Sequence, residues 1–111
     1  MVKFEILKRT DGNFMFNLKA SNGEIIMTSQ GYTTKSACQN GITSSKKNGV
    51  NKHFYKHATA TNGNFYFNLT AANNQVIGTS QMYTTKQGSD HGIESVMKNV
   101  HKAEVIDLSI N

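Results

Sequence analysis

Short runs of alternating apolar and polar residues, parted by turns rich in glycine and asparagine, open the chain and later come round again. Phe14, Phe16 and Leu18 fall on one face of a strand that follows Asp11-Gly12-Asn13. Phe65, Phe67 and Leu69 do the same after Asn62-Gly63-Asn64, so the copies are offset by 65 − 14 = 51 positions. The chain is built from a repeat.

Phe4 to Arg9 predicts a first strand, with Phe4 and Ile6 on one face and Glu5 and Leu7 on the other. Asp11-Gly12 predicts a two-residue hairpin, because both residue types tolerate positive φ. Phe14 to Ala20 is the second strand, and Asn22-Gly23 turns it into a third, Glu24 to Ser29. At Tyr32-Thr33-Thr34-Lys35 the period changes. Thr33 or Thr34 is placed to cap a helix that runs to Asn48, with Cys38, Gly41, Ile42 and Ser45 on one stripe. A glycine inside a helix costs about 1 kcal/mol. Its counterpart, Gly92, is also glycine, so helix and sheet are expected to touch closely there.

The second copy predicts strands at His53–Thr59, Phe65–Ala71 and Gln75–Ser80. A helix follows from Tyr83-Thr84-Thr85-Lys86 to about Asn99, with Ile93, Val96, Met97 and Val100 inward. Phe4 lies 12 − 4 = 8 residues before Gly12, whereas Phe54 lies 63 − 54 = 9 before Gly63. That extra residue predicts a bulge or a shifted strand start. Ala103–Leu108 is a last strand, matching His53–Thr59 by its position after a helix. One helix covers too little of a three-stranded sheet to close a core, but two units side by side suffice. The expectation is an α+β fold and a single domain, residues 1–111, made of two repeats, 1–51 and 52–111. Tandem β-β-β-α(-β) repeats would form one mostly antiparallel sheet of about seven strands. Two helices would pack on one face, with the C-terminal strands exchanged between repeats.

The repeated Phe-Asn-Leu-x-Ala strand, Thr-Ser-Gln-x-Tyr-Thr-Thr-Lys, and then Asn/His-Gly-Ile and Lys-Asn resemble the YegP-like family of small bacterial and archaeal proteins. The resemblance covers nearly the whole chain. It implies β-β-β-α-β units of a domain of unknown function, paired into one sheet with exchanged C-terminal strands. It carries no established activity, and so no catalytic residues.

Composition narrows the function classes. A net charge of +5 gives a weak attraction for polyanions. The lysines are scattered, however, and Arg9 is the sole arginine, where readers of bases and phosphates lean on arginine forks. One cysteine, Cys38, excludes an internal disulfide framework. The start has no apolar leader and no run approaches membrane-spanning length, so a cytoplasmic monomer with internal pseudo-two-fold symmetry and no membrane association is expected. No cofactor is expected, and the partner is left unknown.

Candidate chemistry is sparse. The seven acidic residues are scattered; Asp90 and Glu94 share a helix face, better read as solvated than as an acid–base pair. His53 and His57, four apart on a strand, would stand about 13 Å from each other, too far to share a metal. Cys38 has Ser89 as its counterpart and reads as a small buried residue rather than a nucleophile.

Two surfaces remain. The sheet face away from the helices is expected to present Met15, Asn17 and Lys19, and Tyr66, Asn68 and Thr70 in the other copy. Asparagine is poorly suited to mid-strand, so Asn17 and Asn68 need a reason. A cross-strand hydrogen bond supplies one. The other is a repeated polar platform for an extended ligand such as single-stranded nucleic acid, with Tyr66 stacking and Lys19 on phosphate. The second surface is the pair of helix N-terminal loops, where Thr34, Lys35, Thr85 and Lys86 suit an anion, a small ligand or an enzyme's pocket. Plain capping explains the threonines as well. The leaning is to a non-enzymatic binding or interaction module. Convergence of the two loops on one cleft would argue instead for a ligand pocket.

Overall fold

The computed structural model describes residues 2–109, and they form one seven-stranded sheet with two helices on one face. The strands are β1 (Lys3–Lys8), β2 (Phe14–Lys19), β3 (Ile25–Ser29), β4 (Tyr55–Thr59), β5 (Phe65–Thr70), β6 (Val76–Ser80) and β7 (Glu104–Asp107). The helices are α1 (Lys35–Asn48) and α2 (Lys86–Asn99). Strand order across the sheet is β4-β5-β6-β3-β2-β1-β7. Every neighbouring pair is antiparallel except β1 and β7.

The repeat is kept in detail. β1 meets β2 with Phe4 opposite Leu18 and Ile6 opposite Phe16; β4 meets β5 with Tyr55 opposite Leu69 and His57 opposite Phe67. Tyr55, not Phe54, is therefore the counterpart of Phe4, since 55 − 4 = 51. The second copy therefore holds no extra residue; Lys52–Phe54 wind into a short 3₁₀ turn, and the strand starts one position later than β1, at Tyr55. His53 sits in that turn, not on the strand with His57. The first hairpin also differs from expectation. Arg9 N–H donates to Asn13 C=O and Gly12 N–H to Arg9 C=O, with Gly12 at φ 88°. The loop is thus three residues closed by a left-handed glycine.

Phe4, Ile6, Phe16 and Leu18 point to the helices and are buried, as are Phe67 and Leu69. Phe4 meets Phe16 edge-on with centroids 5.3 Å apart, and Tyr55 meets Phe67 likewise at 5.6 Å. α1 buries Cys38, Gly41, Ile42 and Ser45, and α2 buries Ser89, Ile93 and Val96. Gly41 lies against the Tyr32 hydroxyl and 3.2 Å (from an added Cβ) from Phe16 Cε2; Gly92 repeats this with Tyr83 and Phe67. The close approach read from the duplicated glycines is there, and the tyrosine that leads each helix makes it. Each tyrosine also exchanges two backbone hydrogen bonds of 2.7 Å with the phenylalanine that opens its copy's second strand, Phe14 or Phe65.

The strand after each helix crosses to the other half. β4 leaves α1 and opens the second meander, and β7 leaves α2 and adds parallel to β1, Phe4 opposite Val105 and Ile6 opposite Asp107. The pseudo-two-fold axis passes between β3 and β6. Seven strands cannot be symmetric about it, so among the described residues β7 outside β1 has no counterpart outside β4.

Candidate functional site

Alternation puts Glu5, Asn17, Thr28, Thr79, Asn68 and Lys56 on the sheet face away from the helices, and the register lines them up. Lys56 stands opposite Asn68, Asn68 opposite Thr79, Thr79 opposite Thr28, Thr28 opposite Asn17, and Asn17 opposite Glu5. Thr28 donates its hydroxyl to Asn17 Oδ1 at 2.9 Å, and Thr79 donates to Asn68 Oδ1 at 2.7 Å. The cross-strand bond therefore accounts for both mid-strand asparagines. The threonines that make it escaped the sequence reading, although Thr28-Ser29-Gln30 and Thr79-Ser80-Gln81 are duplicated as plainly as the asparagines.

The cations of this face are partly engaged. Lys19 Nζ lies 2.9 Å from Glu5 Oε1, and Lys3 Nζ lies 3.6 Å from Glu5 Oε2. The Lys19 hydrogen bond, with the charges of both lysines, holds the Glu5 carboxyl below its ordinary range against the opposing effect of burial. Thr70, read as part of the open face, is buried, and its hydroxyl donates to the Phe54 carbonyl at 3.0 Å. Met15 and Tyr66 are half-buried.

The helix N-terminal loops do not converge. Thr34 Oγ1 accepts from Ala37 N–H at 3.0 Å and Thr85 Oγ1 from Gly88 N–H at 2.9 Å, so both threonines cap. Lys35 Nζ meets Asp107 Oδ2 at 2.8 Å beside β7, whereas Lys86 lines a cavity with His57 of β4. Those two strands are the outer ones of the sheet, six strand spacings or about 29 Å apart. Each lysine belongs to a different edge.

The two edges make an instructive pair. On the β7 side, Val105 lines a small cavity with Gln39, Ile42, Thr43 and Lys46 of α1, and Asp107 reaches Lys35. The same positions of the second copy are Asp90, Ile93, Glu94, Met97 and Lys86, and they line a cavity of about 370 Å³ with Lys52 and His57. A second cavity of about 380 Å³ shares His57 and Lys86 and adds Thr59, Tyr66 and Ser89. Together they follow the outer edge of β4, whose neighbour among the described residues is β5 alone. Leu108 N–H donates to Ile6 C=O at 2.8 Å, so Ile6 turns its backbone groups to β7. His57, 51 positions on and in the same register, turns its own outward. The Tyr55 N–H is already bound to Lys52 C=O by the 3₁₀ turn. This groove was not read from the sequence, but one signal for it existed: an odd number of strands in a two-copy chain leaves one edge without its mate.

Elsewhere the chemistry is muted. The Cys38 thiol is fully buried, and burial followed by the Asp107 charge pushes it up to about 11, which keeps it protonated and unreactive. No group of three His, Cys, Asp or Glu among the described residues is arranged to hold a metal ion. No helix among them is long and apolar enough to cross a membrane.

Residues 10–55 and 60–107 each match the family described as a domain of unknown function, DUF1508. The chain is similar to the UPF0339 protein YegP of Escherichia coli K12, 51% identical over 96 residues, or 86% of this chain and 87% of the relative. It is similar to a UPF0339 protein of Shewanella oneidensis, 46% identical over 106 residues, 96% of each chain. Two solution NMR structures share the fold. That of a UPF0339 protein from Shewanella oneidensis has a TM-score of 0.91 at 45% identity, covering 97% of this chain and 92% of that one. That of the protein of unknown function yegP from E. coli has 0.93 at 46% identity, covering 99% and 95%.

Proposed function

We propose that this chain, which belongs to the YegP-like UPF0339 family of tandem DUF1508 proteins, is a non-enzymatic interaction module that takes up an extended peptide segment along the outer edge of β4. One observation carries the reading: the equivalent edge, beside β1, already holds such a segment, β7, in a defined parallel register. An edge strand with outward N–H and C=O groups is a template for strand addition. The helix beside it supplies side-chain contacts that give such an addition specificity. Most of the loop groups that would carry catalysis have structural duties instead: Thr34 and Thr85 cap, Lys35 holds Asp107, and Cys38 is sealed, while Lys86 lines the β4 groove.

The test uses a synthetic peptide with the sequence of residues 103–109, titrated into isotope-labelled protein. The reading expects saturable amide shifts over residues 52–59 and along α2. Shifts confined to β1, or none at millimolar concentration from this peptide and from its Val105→Lys variant, would overturn it.

A second reading, weak single-stranded nucleic-acid binding across the open face, rests on Tyr66 beside Asn68, with Asn17 and Lys19 repeating the polar part. Among the described residues neither asparagine Nδ2 has a protein partner, but Asn17 is buried, so Asn68 is the more open donor for a ligand. The pairing of Lys19 with Glu5 works against it. Mixed single-stranded DNA and RNA that shift Asn17, Lys19, Tyr66 and Asn68 at physiological salt would favour this reading. Shifts scattered over lysines and erased by salt would dismiss it.

A further inference from the structure

Resting on the strand-addition reading, the geometry points to the chemistry of the segment that the β4 edge accepts: a strand parallel to β4, with a carboxylate side chain opposite His57 and a basic side chain two residues before it.

The carboxylate follows from the other edge. Asp107 stands opposite Ile6, bound to Lys35 and close enough to Cys38 for its charge to act on the thiol. Moved by the repeat offset of 51, those three positions become His57, Lys86 and Ser89. Lys86 keeps the cation of Lys35, and the two changed positions each add a polar group, while Asp90 lies on the other side of His57. His57 replaces an isoleucine, and Ser89 replaces the apolar-lying Cys38. Ser89 is 1% exposed, and its Oγ has no hydrogen-bond partner. A buried hydroxyl left unsatisfied is costly, and native structures rarely keep one without cause. It lines the same cavity as Lys86 and His57. A carboxylate there accepts from the Ser89 hydroxyl and pairs with Lys86.

The basic residue follows from α2. Val105 of β7 lies beside Gln39 and Thr43, both uncharged. Their counterparts are Asp90 and Glu94, set around Ile93 and Met97. An aliphatic stem on Ile93 and Met97 with a cationic head at Glu94 satisfies both features. Asp90 Oδ1 lies 3.7 Å from His57 Nδ1 and pairs with it when the imidazole is protonated, so Glu94 is the more available acid. The groove also discriminates. β7, with valine at this position, fits its own edge better than this one, which works against chains trading β7 with one another.

The experiment compares three peptides spanning residues 103–109: the native sequence, Val105→Lys, and Val105→Lys with Asp107→Asn. Amide shifts over residues 52–59 report binding. The Val105→Lys peptide is expected to bind most tightly, and Asp107→Asn to weaken it by about tenfold, the loss of one charge-assisted hydrogen bond. Lys86→Ala in the protein should weaken the Val105→Lys peptide similarly and leave the doubly substituted one unchanged. Ser89→Ala, a small change in a buried site, gives the second check on the carboxylate. If all three peptides bind β4 equally, the charge pattern is wrong while strand addition stands. If none binds there, strand addition itself fails. Dimerisation of the peptide-free protein through β4 would replace the foreign segment by a second copy and overturn the pattern.

Discussion

Lys35 Nζ and Asp107 Oδ2 meet at 2.8 Å, joining the start of the first helix to the end of the last strand. This contact ties β7 to the half of the chain that does not encode it, and the second copy has no equivalent among the described residues. Asp107 falls to about 2, chiefly through the Lys35 hydrogen bond and then that of Ser109. Its ordinary value is 3.8. A depressed carboxyl stabilises the folded state above the ordinary value, and that contribution is lost as pH falls through the folded one. Docking of β7 should therefore loosen between pH 3.8 and about 2. Amide exchange at Ile106 against pH reads this directly. Asp107→Asn should show weaker docking at neutral pH and a flatter response in that window, the remainder coming from Glu5, which is depressed in the same direction.

Gly41→Ala should destabilise the protein by about 1–3 kcal/mol, because the new methyl meets the Tyr32 hydroxyl in a packed core. Tyr32→Phe removes that oxygen and should recover part of the loss. Thermal unfolding of the two single variants and the double checks this. The same pair in the second copy, Gly92→Ala with Tyr83→Phe, should behave alike.

Thr34→Ala and Thr85→Ala should each cost about 1 kcal/mol, the usual worth of an N-cap. If the loops only cap, inorganic phosphate will raise the melting temperature of neither the parent nor the variants.

Asn17→Ala should cost about 0.5–1 kcal/mol through the lost bond from Thr28, and Thr28→Val a similar amount. The double variant should lose less than the sum, since one interaction is removed in both. A fully additive result would mean that Asn17 is kept for something other than its cross-strand bond.

Much of the fold was legible because it is repeated. A turn followed by Phe-x-Phe-Asn-Leu, met twice, fixed strands, faces and helix starts together, and Gly41 with Gly92 announced the helix–sheet contact. What escaped was whatever breaks the repeat. Phe54 looked like the counterpart of Phe4, because an aromatic residue pattern does not show that three residues before a strand have wound into a 3₁₀ turn. Thr70 looked exposed by alternation, but the register shift between Leu69 and Thr70 and the adjoining turn bury it. The β4 groove was hidden for a further reason. His57 is far in sequence from Lys86 and Asp90, which share a face of α2, and what relates them is the place of a missing eighth strand.

Amide hydrogen exchange at His57 and Thr59, set against Phe4 and Ile6, tests the claim that the β4 edge accepts a strand most directly. In the protein alone the outward amides of β4 should exchange fast, while those of β1 are protected by β7. Peptide of residues 103–109 carrying Val105→Lys should slow exchange at His57 and Thr59 by about tenfold or more and leave Phe4 and Ile6 unchanged. Exchange at His57 that is equally slow without peptide, or that saturating peptide fails to slow, would contradict it.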